Sequence, residues 1–403
     1  MKTTGDQQLV KRINRSVLLR LIRAQPGLSR AQAASQSGLT KSTVSSAVRE
    51  LIDEGWLCEM GEAAASAARV MSATSALGRP STPLQINARA RGLIGVEIAV
   101  DCLRAVSVSL LGEVLWSTEV PLKLTEPAHV CQQAAQLASL AQLELAHMKI
   151  MLSGIGVGLP GAFDEASGMV RFAPNLGWRD VAFMPLMLQA LQDSGLPDVP
   201  VHVQNEADTA ALSEYEFASN EGDSALIFVT CDVGVGAGIV LNDRLFTGAQ
   251  GMAGEIGHSI LQQDGPLCSC GRKGCAETFI GARALARQFA QTGSIKPAGQ
   301  ALGVLIQNLW TTFNPGVLVV GGSSCVKYPE LLRYAQDTLT AYSDSAGITA
   351  PALRCARYGS LAAAVGAAAL VIHQHLRPMH TRTVRIAVPP QAVGLVEREL
   401  AWV

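Results

Sequence analysis

Between Gly254 and Glu277 the chain reads GEIGHSILQQDGPLCSCGRKGCAE, which gathers one imidazole, His258, and three thiols, Cys268, Cys270 and Cys275. Four nitrogen and sulfur ligands fill a tetrahedral zinc and leave no position for a reactive water, so this is the composition of a closed structural site. Gly271 and Gly274 supply the tight turns that a Cys-x-Cys-x4-Cys knuckle needs. A disulfide is the competing reading. The N-terminal MKTTGDQQLVKR has no apolar stretch of signal-peptide length, so the chain is expected in the cytoplasm, where thiols stay reduced and clustered cysteines more often hold metal. The other cysteines, at 58, 102, 131, 231, 325 and 355, are scattered singly and, wherever they sit in apolar segments, read as small core residues. Two carboxylates, Glu255 and Glu277, flank the cluster without belonging to it, which suggests a metal that braces a polar pocket.

With 403 residues, 48% of them hydrophobic and 16% charged, the chain is expected to form two or three domains and to bury a large core. The longest uncharged run, Pro297 to Val326, contains Gln307, Asn308, Asn314 and Pro315, so no membrane span is expected there. The net charge of -1 argues against general nucleic-acid affinity, but it conceals an asymmetry. Residues 1–49 hold nine Lys/Arg against Asp6 alone, so a polyanion partner is expected at this end.

That end is patterned as three helices. Ile13, Val17, Leu18, Leu21 and Ile22 recur at helical spacing until Gln25-Pro26-Gly27; Ser29 opens a short second helix with Gln32 as its capping-box partner. After Ser37-Gly38-Leu39, Thr40 caps a third helix whose Val44, Ala47, Val48, Leu51 and Ile52 face inward. Lys41, Ser42, Thr43, Ser45, Ser46 and Arg49 face outward, a surface of short polar side chains and two cations that suits a major groove. With Thr40 and with Arg30 of the second helix, they are the candidate DNA contacts. Glu54-Gly55-Trp56-Leu57 then starts the extended wing of a winged helix-turn-helix. A generic three-helix bundle with a solvated face is the alternative. Residues 62–77 are Ala/Ser-rich and read as an elongated wing or a flexible linker.

After Gly78-Arg79-Pro80 strands and helices alternate. Gly92–Val100 and Leu103–Leu110 read as paired strands, Ala128–Met148 as a helix, and Ile155–Gly158 as a strand opening onto Leu159-Pro160-Gly161. A second cycle begins at Ala225–Val229, passes through Gly234, Gly236 and Gly238, and ends with helices after Ala282 and a strand at Val317–Val320. Two strand-rich halves, each followed by helices, imply a bilobed α/β domain with a cleft between the lobes.

The run from Gly254-Glu255-Ile256-Gly257-His258 through Cys268-Ser269-Cys270-Gly271 to Gly274-Cys275-Ala276-Glu277 resembles the signature of the ROK family of repressors, open reading frames and kinases. The resemblance covers about Gly78 to His375, and with the N-terminal module it matches the sugar-responsive repressor branch almost end to end. It implies an actin-like, ribonuclease-H-like fold with structural zinc held by His258, Cys268, Cys270 and Cys275. It also implies sugar contacts from Asn205, Glu206, Glu255, His258 and Glu277, with Asn175 of Pro174-Asn175-Leu176 an addition. His258 can bind metal through one ring nitrogen and a hydroxyl through the other.

Kinases of the family are similar over the same span, and this chain departs from them at three places. The first phosphate loop, Asp-x-Gly-Gly-Thr in the family, is here Glu97-Ile98-Ala99-Val100-Asp101; the second, Gly-Thr-Gly, is Asp232-Val233-Gly234; and the catalytic Asn-Asp is Asn205-Glu206. Side chains replace the backbone cradle, an anion sits where phosphates would, and the base is displaced by a methylene, so no catalytic residue is assigned. The expectation is therefore a cytoplasmic, sugar-responsive regulator, a repressor released from its operator by sugar and acting as a homodimer or homotetramer. Its expected parts are a DNA-binding domain at 1–61, a wing or linker at 62–80 and a sugar-binding, oligomerising domain at 81–403. A sugar kinase with an appended DNA-binding domain and a regulator controlled by a protein partner are the alternatives.

Overall fold

The computed structural model describes residues 7–61, 82–218, 225–249 and 251–376. At the N-terminal end, α1 (Gln7–Ala24), α2 (Arg30–Ser37) and α3 (Lys41–Asp53) form where the apolar spacing places them. Leu18, Leu19 and Ile22 of α1 bury against Val44, Ala47, Val48 and Leu51 of α3. Ser29 and Gln32 close the capping box, Gly38 ends α2 in the left-handed region at φ 69°, and the Thr40 hydroxyl accepts from the Thr43 amide. The short strand β1 (Leu57–Glu59) then pairs antiparallel with β2 (Leu84–Ile86). The amide of Leu84 also donates to Leu28 O, and its carbonyl accepts from Gly27 N. Residues 84–86, just beyond the segment expected as wing or linker, are thus hydrogen-bonded to β1 and to Gly27 and Leu28. The Ala/Ser-rich segment expected as wing or linker lies outside the described residues.

The larger module repeats one topology twice. In the first half, β3 (Arg91–Ile98), β4 (Cys102–Ser109) and β5 (Val114–Pro121) form an antiparallel meander. After the helix Pro127–His147, β6 (Met151–Leu159) adds parallel to β3. A small three-stranded sheet follows, made of β7 (Ala162–Asp164), β8 (Met169–Ala173) and β9 (Trp178–Val181). Then β10 (Val201–Asn205) adds parallel to β6, giving the order β10-β6-β3-β4-β5. In the second half, β11 (Leu226–Cys231), β12 (Val235–Leu241) and β13 (Arg244–Leu245) are the meander, with β14 (Val317–Gly321) and β15 (Leu353–Cys355) parallel to β11. The order β13-β12-β11-β14-β15 is the same arrangement. Because the strands at the centre of each sheet are covered on both faces, they read as near-continuous apolar runs such as Leu93–Ile98.

Each half ends in a helix, Glu206–Phe217 after β10 and Ala362–Leu376 after β15, and these two helices pack against each other at the centre. Contact is close: a Cβ on Gly366 would lie 1.6 Å from the carbonyl oxygen of Thr209. Residues Gly359–Leu376 are long and apolar enough to cross a membrane, but most of the stretch is buried here as the core helix between the sheets. The N-terminal module docks on the far ends of the same two helices. Arg23 of α1 donates to Glu216 at 2.7 Å, the other oxygen of Glu216 lies 2.7 Å from His373 Nδ1, and Trp56 packs its ring 4.7 Å from that of His375.

Candidate functional site

All six residues expected to touch sugar line one cavity of about 250 Å³ between the lobes. Asn205 ends β10 and caps the helix Glu206–Phe217, its Oδ1 accepting from the amides of Ala207 (2.7 Å) and Asp208 (3.4 Å) while Nδ2 donates to Gly161 O at 2.9 Å. One of its amide hydrogens remains for a ligand. Glu206 is the first residue of that helix. Glu255 and His258 come from the loop after β13, which lies flat against β12 because Gly254 has no side chain; a Cβ there would sit 2.0 Å from Ala237 O. Glu277 starts the helix Glu277–Ile280, and Asn175 sits in the turn Pro174–Leu176.

Behind His258 the four expected ligands converge. One ring nitrogen of His258 and the sulfurs of Cys268, Cys270 and Cys275 all lie within 4.8 Å of one another. Cys268 Sγ is 3.7 Å from Nδ1, and Cys270 Sγ is 3.7 Å from Cys275 Sγ. A tetrahedral metal with bonds of about 2.3 Å to sulfur has sulfur–sulfur edges of about 3.8 Å, so the donor set fits such an ion. The knuckle needs its glycines: Gly271 and Gly274 have φ of 86° and 71°, and a Cβ on Gly274 would lie 1.6 Å from Gln262 O. Burial pushes the Cys275 thiol up to about 12. Burial acts on Cys270 in the same direction but is outweighed by hydrogen bonds, first from the backbone and guanidinium of Arg272, which bring it down to about 6. The remaining six cysteines are dispersed: 102, 131 and 231 are buried, 58 and 325 half-buried and 355 exposed.

The cavity wall is rich in carboxylates. Burial, then the charges of Glu97, Asp232 and Glu255, hold the Glu206 carboxyl well above the usual range. Burial also raises Glu255, with His258 opposing and Glu277 adding to the shift. Glu97, Arg104, Asp232 and Ser323 line the same cavity and were not among the expected contacts. The available signal was a lone acid in the apolar run Leu93–Val100. Asp232 is committed: one oxygen accepts from the Ser323 amide at 2.6 Å and from its hydroxyl, the other from Thr230 Oγ1 at 2.8 Å. Carboxyl groups held above their usual range take up protons more readily than free ones, and so can donate to sugar hydroxyls as well as accept from them.

On the N-terminal module, Thr40, Lys41, Ser42, Ser45, Ser46 and Arg49 are exposed and Thr43 is half-buried. Among the described residues neither Lys41 nor Arg49 has an ion-pair partner, whereas Arg30 pairs with Glu59 of β1 at 3.0 Å. The Thr40 hydroxyl bonds to those of Ser42 and Thr43 at the start of α3.

Residues 12–57 match the winged helix-turn-helix DNA-binding model, and residues 93–374 match the ROK family model. A putative xylose repressor of Caldicellulosiruptor sp. (strain Rt8B.4) is 30% identical over 363 residues, covering 79% of this chain and 85% of the relative. A glucokinase of Halalkalibacterium halodurans is 29% identical over 322 residues, covering 70% of this chain and 96% of the enzyme. The crystal structure of a ROK family transcriptional regulator, a homolog of the E. coli MLC protein, superposes with a TM-score of 0.71 at 23% identity, covering 92% of this chain and 98% of that one. With the family model spanning most of its length, two lobes of matching topology and the His/Cys loop beside the cleft, this chain belongs to the ROK family.

Proposed function

We infer that the chain is a sugar-responsive DNA-binding transcriptional repressor, in which a sugar held in the interlobe cleft weakens the grip of the winged helix-turn-helix on its operator. The observation that carries this reading is that the cleft and the DNA module lie at opposite ends of the same two helices. Glu206 and Ala363 face the cavity at one end; Glu216, His373 and His375 meet α1 and Trp56 at the other. Likeness to xylose repressors over four-fifths of the chain supports it. Sugar hydroxyls would be held by Asn175, Asn205, Glu206, Glu255, His258 Nε2 and Glu277. The metal is zinc in this reading, bound by His258 Nδ1 and the three cysteines, and it would fix the wall from which His258 projects. It supplies rigidity and no reactive water. The protein would act in the cytoplasm as a homodimer or homotetramer, since two-fold protein symmetry matches a palindromic operator.

A sugar kinase with an added DNA-binding module is the second reading, favoured by the likeness to glucokinases. Against it stands Asp232, whose carboxylate already occupies the amide and hydroxyl of Ser323 that a phosphate would seek. A thermal-shift screen of sugars and sugar phosphates, with and without ATP, separates the two. A neutral sugar is expected to raise the melting temperature without ATP, and Glu255→Gln is expected to weaken that sugar by about tenfold to a hundredfold, the range for a hydrogen bond to a charged group. A shift that requires ATP, with ADP formed, would reverse the assignment. For DNA, Lys41→Ala and Arg49→Ala are each expected to weaken binding on every duplex and to lower the slope of log K against log salt by about 0.9, read by anisotropy at several salt concentrations. An unchanged slope would remove that side chain from the interface.

A further inference from the structure

We propose that Phe172 and Met252, one from each lobe, grip the C–H face of a sugar ring, so that the cleft selects a pyranose over an open-chain polyol with the same hydroxyls. The proposal rests on the sugar-sensing reading above and deepens it. Most apolar residues of the cavity wall are small, such as Ala99, Ala162, Ala173, Ala207 and Ala253. Phe172 and Met252 are the large ones that stay exposed among the described residues, at 40% and 52%. Large apolar side chains open to a polar cleft mark where a ligand buries apolar surface.

Both side chains are tied to the residues expected to hold hydroxyls. Phe172 of β8 lies directly across from Ala162 of β7 and from Arg179 of β9. Arg179 sets its guanidinium over the Phe172 ring, 5.1 Å from the centroid, which steadies the ring and leaves its other face. A Cβ on Gly161 would lie 2.1 Å from Phe172 O, and the Gly161 carbonyl accepts from Asn205 Nδ2 at 2.9 Å, so one tight turn fixes both the ring and Asn205. Asn175 follows three residues after Phe172.

Met252 reaches the same place from the second lobe. Gly251, just before it, lies so close to β7 that a Cβ would be 2.9 Å from Phe163 O, and Phe163 is the neighbour of Ala162. Just after it, the Ala253 amide donates to Thr247 O at 3.0 Å, and Gly254 settles against β12, which places Glu255. The strand carrying Phe172 and the loop carrying Met252 thus meet at β7, and the same two segments anchor Asn205 and Glu255. A pyranose carries hydroxyls around its rim and C–H groups on its faces. Carboxylates and amides satisfy the rim, while an electron-rich ring face and a polarisable thioether suit the C–H groups. An open-chain polyol has no such face to offer.

The test is calorimetric titration of the full chain at several temperatures with D-xylose, D-glucose and N-acetyl-D-glucosamine, and with the alditols xylitol and D-glucitol. At least one pyranose is expected to bind, about tenfold or more tighter than either alditol, with a negative heat-capacity change. Phe172→Ala is expected to weaken that pyranose about tenfold and to shrink the heat-capacity change, and Phe172→Trp to restore both. A merely structural residue would shift the melting temperature of the free chain and leave the heat-capacity change as it was. Should Phe172→Ala fail to fold, Met252→Ala on the other lobe is expected to weaken the pyranose about threefold to tenfold with the same calorimetric sign. If a pyranose binds through Glu255, but an alditol binds as tightly, or both alanine variants stay within about twofold with the heat-capacity change intact, the clamp is refuted while the sensor reading stands. If none of the three pyranoses binds the unaltered chain, both fall.

Discussion

Chelating the metal, or replacing Cys270 by Ser, is expected to lower the melting temperature and to abolish sugar binding together. If the protein is held at a free metal concentration about a thousandfold above its dissociation constant, the metal contributes about 4 kcal/mol to stability. For a chain of this size that corresponds to a fall of about 5 °C or more. The loss of sugar binding follows from geometry, because His258 is both a metal-cluster residue and part of the cavity wall. Freed of the metal, its ring loses the bond that fixes its orientation at the cavity wall. Cys355→Ser, at an exposed cysteine outside the cluster, serves as the control and is expected to change neither property. Calorimetry with metal analysis checks the result. A chain that melts unchanged with no bound metal would refute the structural role.

The second large effect is expected at Glu216. Its carboxylate is 3% exposed and joins Arg23 of α1, 12% exposed, to His373 of the central helix. Breaking a buried pair by removing one partner strands the other charge and costs about 3–5 kcal/mol, whereas replacing both by apolar residues is often neutral. Glu216→Ala is therefore expected to destabilise the protein strongly, and Arg23→Met with Glu216→Leu to restore most of that loss. If the helices Glu206–Phe217 and Ala362–Leu376 carry the signal, the double variant still binds sugar and still binds operator, but sugar no longer alters DNA affinity. Coupling of this kind is typically about 1–3 kcal/mol, a factor of about 5 to 150 in affinity, which anisotropy resolves. Full retention of sugar-induced release in the double variant would place the route elsewhere.

What the sequence made legible, and what it did not, follows the range of the interactions involved. The capping box at Ser29, the cap at Thr40 and the knuckle glycines act over a few residues, and each lies where the spacing predicts. The meander β3-β4-β5 was readable for the same reason. Leu84–Ile86 pairs with Leu57–Glu59 across the 62–81 segment, a long-range pairing that local composition does not reveal. The link between Arg23 and Glu216 spans 193 residues and has no local signature. The candidate site was legible where the family motif names its residues. Glu97 was read only as part of an altered phosphate loop, because a sequence shows that the glycines are replaced by Ala99 and Val100 but not that Glu97 lines the cavity.

The central claim is that occupancy of the cleft is reported to DNA rather than used for phosphoryl transfer. Its most direct test is one titration: an operator duplex selected from a random pool by the protein itself, followed by fluorescence anisotropy, with the sugar identified by thermal shift added in the presence of ATP and magnesium. The account predicts at least about a fivefold loss of operator affinity at saturating sugar and no sugar-dependent ADP. Operator affinity unmoved by a sugar that binds, or steady ADP release, would contradict it.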